Sequence, residues 1–547
     1  LPDYMVPAAF IKLDEMPLTP NGKINRRALP DPDMSLMGKE YVAPRNDIEQ
    51  KLAYIWADVL KIDNDKVGIH DNFFHLGGHS LLAIQLVARI HAKLNVDISI
   101  KNLFDNPKLS DLSLFIDSQI ERGVGVAYLP INKTKILKDG NVMSFAQERL
   151  WFLNEFEGSN ENYNIPIILR LDGDLNIKAL QTSLNQLIAR HASFRTVFAK
   201  DKSGVGVQKI LDNLEISLVV EEPSSKGKGR DLEKAIKAQI NKEISTPFDF
   251  VKGPLLRVRL FKVKEDQHIF VFNHHHIISD GVSIDIISKD LSELYFANIE
   301  KREPKLAKLP IQYVDFAAWQ RDEFKKPEFQ EKLKYWKDTL VDYSDLRLPV
   351  DKSRPANFSY KGANFNFSLD KSLSAKLSKL AQDNGLTLYV VLLTAFNILL
   401  SRYSGSDDII LGSPIANRYH HDIEGLVGFF VNTLVLRNQV DGNKSVKELL
   451  SQISDNALTA FDNQQVPFEQ IVELLDVARD TSRNPIVQIM FSLQSFGSDA
   501  TGESSLKLPG VDIKPYFDAS YDVAKFDLSL FMREAGDKLV GSFNYCT

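Results

Sequence analysis

The segment HIFVFNHHHIISDG, residues 268–281, joins a buried-strand pattern to a group of titratable side chains. The run HIFVFNHHH is apolar almost up to its three histidines, which is typical of a strand buried on both faces. Because side chains alternate along a strand, we expect His274 and His276 on one face and His275 on the other. Histidines so arranged do not converge on one metal ion, so the pattern favours a catalytic or structural role over metal binding.

The chain on both sides of this segment alternates between strand and helix patterns. The run DIILGSPIA (408–416) is short and apolar, as in a buried strand, whereas ALQTSLNQLIARHASF (179–194) and LYVVLLTAFNILLSRY (388–403) have the length and apolar content of helices. Alternation of this kind predicts an α/β fold. Because this region spans about 400 residues, which is too long for one ordinary core, we expect it to form two lobes.

The composition narrows the class of protein. The 547 residues are 44% hydrophobic and 25% charged, which is ordinary for a globular chain of several domains. A net charge of -6 argues against nucleic acid as a partner, and a single cysteine, Cys546, suits the reducing cytoplasm. No apolar run reaches the roughly 18 residues of a membrane span, so we expect no membrane partner.

Residues 46–120 have the pattern of a small helical unit. In NDIEQKLAYIWADVLK, Asn46 and Glu49 have capping-box spacing, and apolar residues recur on one face. The segments SLLAIQLVARIHAKL (80–94) and LSDLSLFIDSQIERG (109–123) repeat this periodicity, and we expect a short helix near IKNLFDN. Together these segments predict a four-helix unit.

A serine stands at the start of the second helix, in DNFFHLGGHSLLAI. The simplest interpretation is that Ser80 caps this helix, because a serine hydroxyl readily accepts a bond from a backbone amide. A nucleophile elbow of the form G-x-S-x-G is excluded because residue 82 is Leu82. A modified serine is a further alternative, since a helix N-terminus stabilises a phosphate group.

The first thirty residues are rich in turn-forming residues, as in MPLTPNGKINRRALP (16–30). A segment of this length buries too little apolar surface to fold alone, so we expect it to be the remnant of an upstream domain. The C-terminal segment VGSFNYCT ends on a strand-like pattern. We therefore expect the chain to be part of a longer polypeptide.

The segment DNFFHLGGHSLLAI closely resembles the carrier-protein core of nonribosomal peptide synthetases. The resemblance implies that Ser80 carries 4'-phosphopantetheine as a phosphodiester. The segments LPDYMVPAAF and LTPNGKINRRALP resemble the last two motifs of the adenylation domains of these synthetases, and Lys23 matches their adenylate-contacting lysine. Without the rest of that domain, we expect Lys23 to have no function in this chain.

The segment HHIISDG (275–281) matches the H-H-x-x-x-D-G motif of condensation domains from the same synthetases. Six further motifs of that family appear in the right order along the chain, two before this segment and four after it: SFAQERLWFL (144–153), RHASFRTVF (190–198), YVDFAAWQ (313–320), VGFFVNTLVLR (427–437), QQVPFEQIV (464–472) and RDTSRNPIVQIMF (479–491). The resemblance implies two lobes, each like chloramphenicol acetyltransferase, around a tunnel open at both ends. One departure is Asn463-Gln464-Gln465, where the family often has His-Gln-Asp.

The resemblance implies the following domain boundaries. Residues 1–32 are an adenylation remnant, 33–45 a linker, 46–120 the peptidyl carrier domain, 121–134 a second linker and 135–547 the condensation domain. Within the last, the N-lobe covers about 135–305 and the C-lobe about 306–547. We therefore expect a multidomain protein, with a small four-helix carrier bundle followed by a two-lobed α/β domain.

The implied reaction is the aminolysis of a carrier-bound thioester by the amine of a second carrier-bound substrate. We expect His276 to act on this amine as a base, as an orienting acceptor or as a stabiliser of the intermediate. Asp280 is expected to form an internal ion pair with Arg418, with Arg195 as the rival partner. Gly281 is expected to permit close backbone approach. We expect His275 to be structural, although it belongs to the catalytic motif.

Two sequence features bear on the subtype of condensation domain. Cyclising relatives have paired aspartates in place of this motif, and epimerisation domains usually follow a carrier with Gly-Gly-Asp-Ser, whereas Gly77 to Ser80 are Gly-Gly-His-Ser. An elongation domain for an L-configured donor fits best; the alternatives are an epimerisation domain or a non-catalytic docking platform. The implied partners are a phosphopantetheinyl transferase, the upstream adenylation domain and a downstream acceptor carrier.

Overall fold

The computed structural model describes residues 41–122, 129–157, 160–222, 230–477, 480–494, 505–516 and 523–547. The chain divides into two compact units, Leu1–Tyr128 and Leu129–Thr547. The expected adenylation remnant with Lys23, and most of the first linker, lie outside the described residues.

In the described part of the first unit, residues 41–122, four α-helices form a bundle. They are α1 (Asp47–Leu60), α2 (Ser80–Leu94), α3 (Ile100–Asp105) and α4 (Leu109–Glu121). The apolar faces that the sequence predicts meet in one core, where the rings of Trp56 and Phe73 pack edge to face with centroids 5.3 Å apart. Burial of these aromatic side chains supplies much of the apolar area that holds so small a unit together.

The start of α1 differs from the predicted capping box. The Asn46 side chain accepts a hydrogen bond from the Glu49 amide at 2.8 Å, as expected. The Glu49 carboxylate, however, accepts from the Arg45 amide at 2.7 Å and from the Arg45 guanidinium at 2.6 Å. The reciprocal bond to Asn46 is replaced because a buried carboxylate gains more from a cation than from a neutral amide.

The second unit begins with the elements of an N-lobe. Its helices are α5 (Phe145–Glu157), α6 (Ile177–Arg190), α7 (Arg230–Ile244) and α8 (Gly281–Glu300), and its strands are β1 (Asn164–Gly173), β2 (Thr196–Lys200), β3 (Gly206–Ile210), β4 (Val219–Glu221), β5 (Leu256–Lys264) and β6 (Gln267–His275). Strands β2 and β3 form a separate antiparallel pair. In the main sheet β6 is hydrogen-bonded to β1 on one side and β5 on the other, so the histidine segment lies at the centre of the N-lobe.

Most of the remaining elements build a C-lobe around a six-stranded sheet. Its helices are α9 (Tyr313–Glu323), α10 (Pro327–Thr339), α11 (Lys371–Asp383), α12 (Leu388–Ser404), α13 (Val446–Asp462) and α14 (Phe468–Leu474), and its strands are β7 (Gly362–Ser368), β8 (Asp408–Ile415), β9 (Asn432–Gln439), β10 (Ile489–Gln494), β12 (Leu528–Ala535) and β13 (Lys538–Cys546). The strand order is β7-β13-β12-β10-β8-β9. One further strand, β11 (Val511–Pro515), lies outside this sheet.

One strand corrects the expected boundary between the lobes. Strand β11 comes from the C-terminal part of the chain, yet it pairs antiparallel with β1 of the N-lobe sheet, with Leu171 opposite Ile513. The N-lobe sheet therefore has the order β11-β1-β6-β5-β4, and a division at residue 305 does not separate the lobes. The physical reason is that β11 covers the edge of β1, whose backbone groups would otherwise lack partners.

Within the described residues, no single helix has both the length and the apolar content to span a membrane. Helices α11 and α12 pass this test only as a pair, which is bent by 109°.

Candidate active site

The three adjacent histidines do not all belong to one strand. Strand β6 ends at His275, and His276 begins a short 3-10 turn that ends at Ile278. The turn starts because His275 Nδ1 accepts a hydrogen bond from the Ile277 amide at 3.1 Å. The prediction that His276 shares a strand face with His274 is therefore wrong, since a side chain interrupts the strand geometry.

His274 and His275 are fully buried, and burial lowers the pKa of both, to about 3 for His274. The His274 ring has no hydrogen-bond partner among the described residues. His275 makes two hydrogen bonds, because its Nε2 also donates to the Asn160 carbonyl oxygen at 3.3 Å. Its ring is further packed against Phe250, with centroids 4.7 Å apart. These contacts hold the His275 ring in place on both nitrogens and on one face.

His276 is the one histidine of the three that is only half buried. Its Nδ1 lies 2.8 Å from the Ser279 carbonyl oxygen, and a carbonyl oxygen can only accept, so Nδ1 carries the hydrogen. In the neutral ring, Nε2 is then an unprotonated acceptor. Burial, together with the positive charge of Lys525, lowers the pKa of His276, which keeps the ring neutral at physiological pH.

Asp280 lies at the end of the same turn and joins three parts of the fold. It caps α8, and its Oδ1 accepts hydrogen bonds from the Ser283 amide at 2.9 Å and the Ser283 hydroxyl at 2.7 Å. The same Oδ1 lies 3.2 Å from Arg418 Nη2, and Oδ2 accepts from the Phe430 amide at 3.0 Å. The carboxylate is only 1% exposed, so all of these bonds are shielded from water.

Arg418 is buried as completely as Asp280 and is held by several acceptors. Its Nη1 donates to the carbonyl oxygens of Ile423 at 2.9 Å and Leu426 at 2.7 Å, and its guanidinium stacks over the Phe430 ring. The rival Arg195 instead donates to backbone carbonyl oxygens, including that of Asp212 at 3.3 Å. The pair of Asp280 with Arg418 thus links the N-lobe histidine turn to the C-lobe.

Segments from two of the sequence motifs contact the histidine turn, and a third motif supports one of these segments. From α5, Gln147 Nε2 lies 3.4 Å from the Ile277 carbonyl oxygen. From the segment before β9, the Phe429 ring packs against the His276 ring at 4.6 Å. From α9, the Tyr313 hydroxyl donates to the Phe429 carbonyl oxygen at 2.6 Å. Motifs that are far apart in sequence therefore meet at one place.

Gly281 is the first residue of α8 and has no positive φ. The backbone angles of Gly281 are therefore open to other residues, and the close backbone approach expected at Gly281 stays a prediction.

Hydrogen bonds of both backbone and side chains hold the atypical segment Asn463-Gln464-Gln465. Trp336 Nε1 donates to the Asn463 carbonyl oxygen at 3.1 Å, and Asn432 Nδ2 donates to the Gln464 carbonyl oxygen at 3.0 Å. Two side chains of the segment also take part, since Gln465 Oε1 accepts from Lys332 Nζ and Asn463 Nδ2 donates to the Thr459 carbonyl oxygen at 2.9 Å.

The start of α2 requires another correction. The N-cap residue is His79, with an extended backbone, and Ser80 is the first helical residue, so the cap lies one residue earlier than predicted. Gly77 has a φ of +100°, and a Cβ on Gly78 would lie 2.4 Å from the Phe73 ring. Both positions therefore require glycine, which sets the sharp approach of the chain to the helix.

This helix start fits a phosphodiester. The His79 side chain makes no capping bond, so it does not occupy the first amides of α2. These amides and the helix dipole favour a negative group at Ser80. A covalently attached phosphopantetheine would supply a flexible thiol that carries the acyl group as a thioester.

No group of three or more His, Cys, Asp or Glu side chains within the described part of the chain is arranged to hold a metal ion.

Two regions of the chain match models of known protein families. Residues 138–547 match the family model described as "Condensation domain", and residues 50–116 match the model described as "Phosphopantetheine attachment site". The chain therefore belongs to the condensation-domain family and has a phosphopantetheine attachment domain ahead of it.

The chain is also similar to individual proteins. It is 41% identical to gramicidin S synthase 2 of Brevibacillus brevis over 550 aligned residues. The aligned region covers 100% of this chain and 12% of that synthase. The crystal structure of the X-domain from teicoplanin biosynthesis has a TM-score of 0.67 at 23% identity and covers 76% of this chain and 92% of that one. The first condensation domain of the calcium-dependent antibiotic synthetase has a TM-score of 0.60 at 16% identity, with coverages of 74% and 90%.

The chain is a carrier and condensation didomain of a nonribosomal peptide synthetase, and it spans about a tenth of the curated relatives that it matches. The predicted fold class, a helical carrier followed by a two-lobed chloramphenicol-acetyltransferase-like domain, is confirmed. The predicted cofactor, a serine-linked 4'-phosphopantetheine, is confirmed as a property of the attachment domain.

Proposed function

We propose that this didomain forms one peptide bond between two carrier-bound substrates. The donor is an L-configured aminoacyl or peptidyl thioester on the phosphopantetheine of Ser80. The acceptor is an aminoacyl thioester on a downstream carrier, whose α-amine attacks the donor carbonyl carbon. The free donor carrier is released after each reaction.

The proposal rests on the burial and the hydrogen bonding of the His276 ring. Its ring is half buried, its Nδ1–H is bonded to Ser279 and its Nε2 is an acceptor. An α-amine has a pKa near 8, so a neutral imidazole need only orient it and accept its proton as the C–N bond forms. His275, whose two ring nitrogens are both hydrogen-bonded, is proposed to position the turn.

Positioning is expected to outweigh proton transfer. Holding two tethered reactants together contributes up to about 7–11 kcal/mol to catalysis. General base catalysis adds a factor of about 10²–10⁴. We propose that Asp280 and Arg418 serve positioning, since they link the histidine turn to the C-lobe, and that Gly281 keeps the backbone beside His276 free of a side chain.

The function is tested by loading the carrier with an L-aminoacyl donor and offering a second carrier that bears an amino acid. The wild-type chain should form a dipeptidyl thioester without inverting the donor. His276→Ala should slow this reaction by about 10²–10⁴-fold. His275→Ala is the matched control, which should lower the melting temperature more than it lowers the rate of the folded fraction.

Other outcomes of this experiment would favour the alternatives. Exchange of the donor α-hydrogen with solvent would indicate an epimerisation domain. A full condensation rate in His276→Ala would remove this histidine from the mechanism. Carrier binding without any peptide bond in the wild type would indicate a docking platform.

The domain context and partners extend the same proposal. We propose that residues 1–32 end an adenylation domain, that 46–120 and 135–547 are the carrier and condensation domains, and that a phosphopantetheinyl transferase modifies Ser80. A cytoplasmic location is supported by the single cysteine, and the absence of a nucleic-acid partner is supported by the net charge of -6.

A further inference from the structure

Lys525 lies in the segment before β12, and its backbone is fixed by the C-lobe. Asn484 Nδ2 donates a hydrogen bond to the Lys525 carbonyl oxygen at 2.7 Å. The neighbouring amide of Ala524 donates to the Tyr360 carbonyl oxygen at 2.9 Å. These bonds hold the backbone at the position from which the Lys525 side chain extends.

The side chain reaches the N-lobe beside the histidines. The Lys525 ammonium lies 5.0 Å from the centroid of the Tyr163 ring, in the loop before β1. Tyr163 in turn lies 6.4 Å, between ring centroids, from His275. The same loop supplies Asn160, whose carbonyl oxygen accepts from His275 Nε2. A cation from the C-lobe thus lies at the edge of the histidine cluster.

This cation has no counter-ion among the described carboxylates. Asp527, two residues further on, pairs instead with Arg354, whose Nη1 lies 2.9 Å from Asp527 Oδ1. Burial lowers the pKa of Lys525 to about 8, and its charge lowers the pKa of both His275 and His276. Because an uncompensated, half-buried cation opposes folding, its presence beside the histidine cluster favours a functional role.

We propose that Lys525 is a further catalytic residue, whose ammonium binds the negative charge that develops on the donor carbonyl oxygen when the acceptor amine attacks. This inference rests on the proposed condensation function. Sequence reasoning did not select Lys525, because a single lysine before a strand resembles any surface lysine.

The charge arises in the following step. The amine nitrogen bonds to the carbonyl carbon, and the carbonyl π electrons move to the oxygen, which becomes an oxyanion. The nitrogen releases a proton to His276, the carbonyl re-forms and the C–S bond breaks. The pantetheine sulfur leaves with the electron pair and takes up the proton. A fixed cation lowers the energy of the oxyanion without itself having to reorganise.

A purely structural role for Lys525 makes a different prediction. If the ammonium only ties the lobes together through the Tyr163 ring, Lys525→Met should lower the melting temperature, and Lys525→Arg should restore it. If Lys525 is catalytic, Lys525→Met should leave the melting temperature unchanged or higher, because it removes an uncompensated charge from a half-buried site.

The test uses the full chain with the donor–acceptor pair that the wild type condenses fastest among a panel of L-aminoacyl thioesters. Lys525→Met should lower the single-turnover rate by about 10²–10³-fold, the effect typical of losing one oxyanion donor. Lys525→Arg keeps the charge and should lose less than about tenfold. A wild-type rate in Lys525→Met, or a rate loss matched by a lower melting temperature, would overturn the inference.

The pH dependence provides a second readout. The acceptor amine, whose pKa is near 8, becomes reactive as it loses its proton. The wild-type rate should therefore rise to a maximum near pH 8 and decline above it, where the Lys525 ammonium loses its proton. His275 and His276, which lie beside it, are already neutral there, and Asp280 keeps its charge partner Arg418. In Lys525→Arg this alkaline decline should be absent, after subtraction of thioester hydrolysis measured without acceptor. A decline that persists in Lys525→Arg would overturn the inference, whereas no condensation by the wild type would contradict the proposed function instead.

Discussion

Substitution of Asp280 by alanine tests the connection between the two lobes. The Asp280 carboxylate accepts hydrogen bonds from the Ser283 amide and hydroxyl, the Arg418 guanidinium and the Phe430 amide. Without it the Arg418 guanidinium, which is 1% exposed, becomes a buried cation with no carboxylate partner. Removing one partner of a buried ion pair costs about 3–5 kcal/mol. Loss of the α8 cap adds about 1 kcal/mol.

The expected loss of about 4–6 kcal/mol corresponds to a fall in melting temperature of about 8–12 °C, at about 2 °C per kcal/mol for a large unit. Scanning calorimetry of the full chain measures it. Asp280→Asn keeps an acceptor oxygen but not the charge, so it should lose less stability. The double variant Asp280→Ala/Arg418→Met removes the uncompensated cation and should recover part of the loss. An Asp280→Ala chain that melts like the wild type, and is nevertheless inactive, would refute this reasoning and place Asp280 in the chemistry.

Two further predictions concern the carrier and the response to acid. Ser80→Ala should abolish transfer of phosphopantetheine from coenzyme A, as measured by intact mass, with an unchanged circular dichroism spectrum; labelling that survives would contradict the assignment. His274, His275 and His276 have folded pKa values below their unfolded value of about 6.5, so the unfolded chain binds more protons in acid and stability falls as the pH drops below about 6.5. At pH 5.5 each of these three histidines lowers the free energy of unfolding by about 1.4 kcal/mol. His274→Leu should remove about a third of this acid sensitivity, and a melting temperature that does not change between pH 7 and 5.5 would contradict the prediction.

The sequence by itself determined the features that depend on neighbouring residues. Periodic apolar residues predict α1, α2 and α4, and the apolar run before His274 predicts β6. The matched motifs also led to the correct family and cofactor. These features are local because helix and strand periodicity is a property of a short stretch of chain.

Only the tertiary structure decided which side chains meet. Arg418 is 138 residues from Asp280, and its choice over Arg195 depends on how the two lobes pack. The half-buried state of His276 depends on the turn that His275 initiates, and the position of Lys525 beside these histidines depends on contacts from Asn484 and Tyr163. Burial, ion pairing and pKa shifts arise from contacts between distant segments, and no local pattern in the sequence records those contacts.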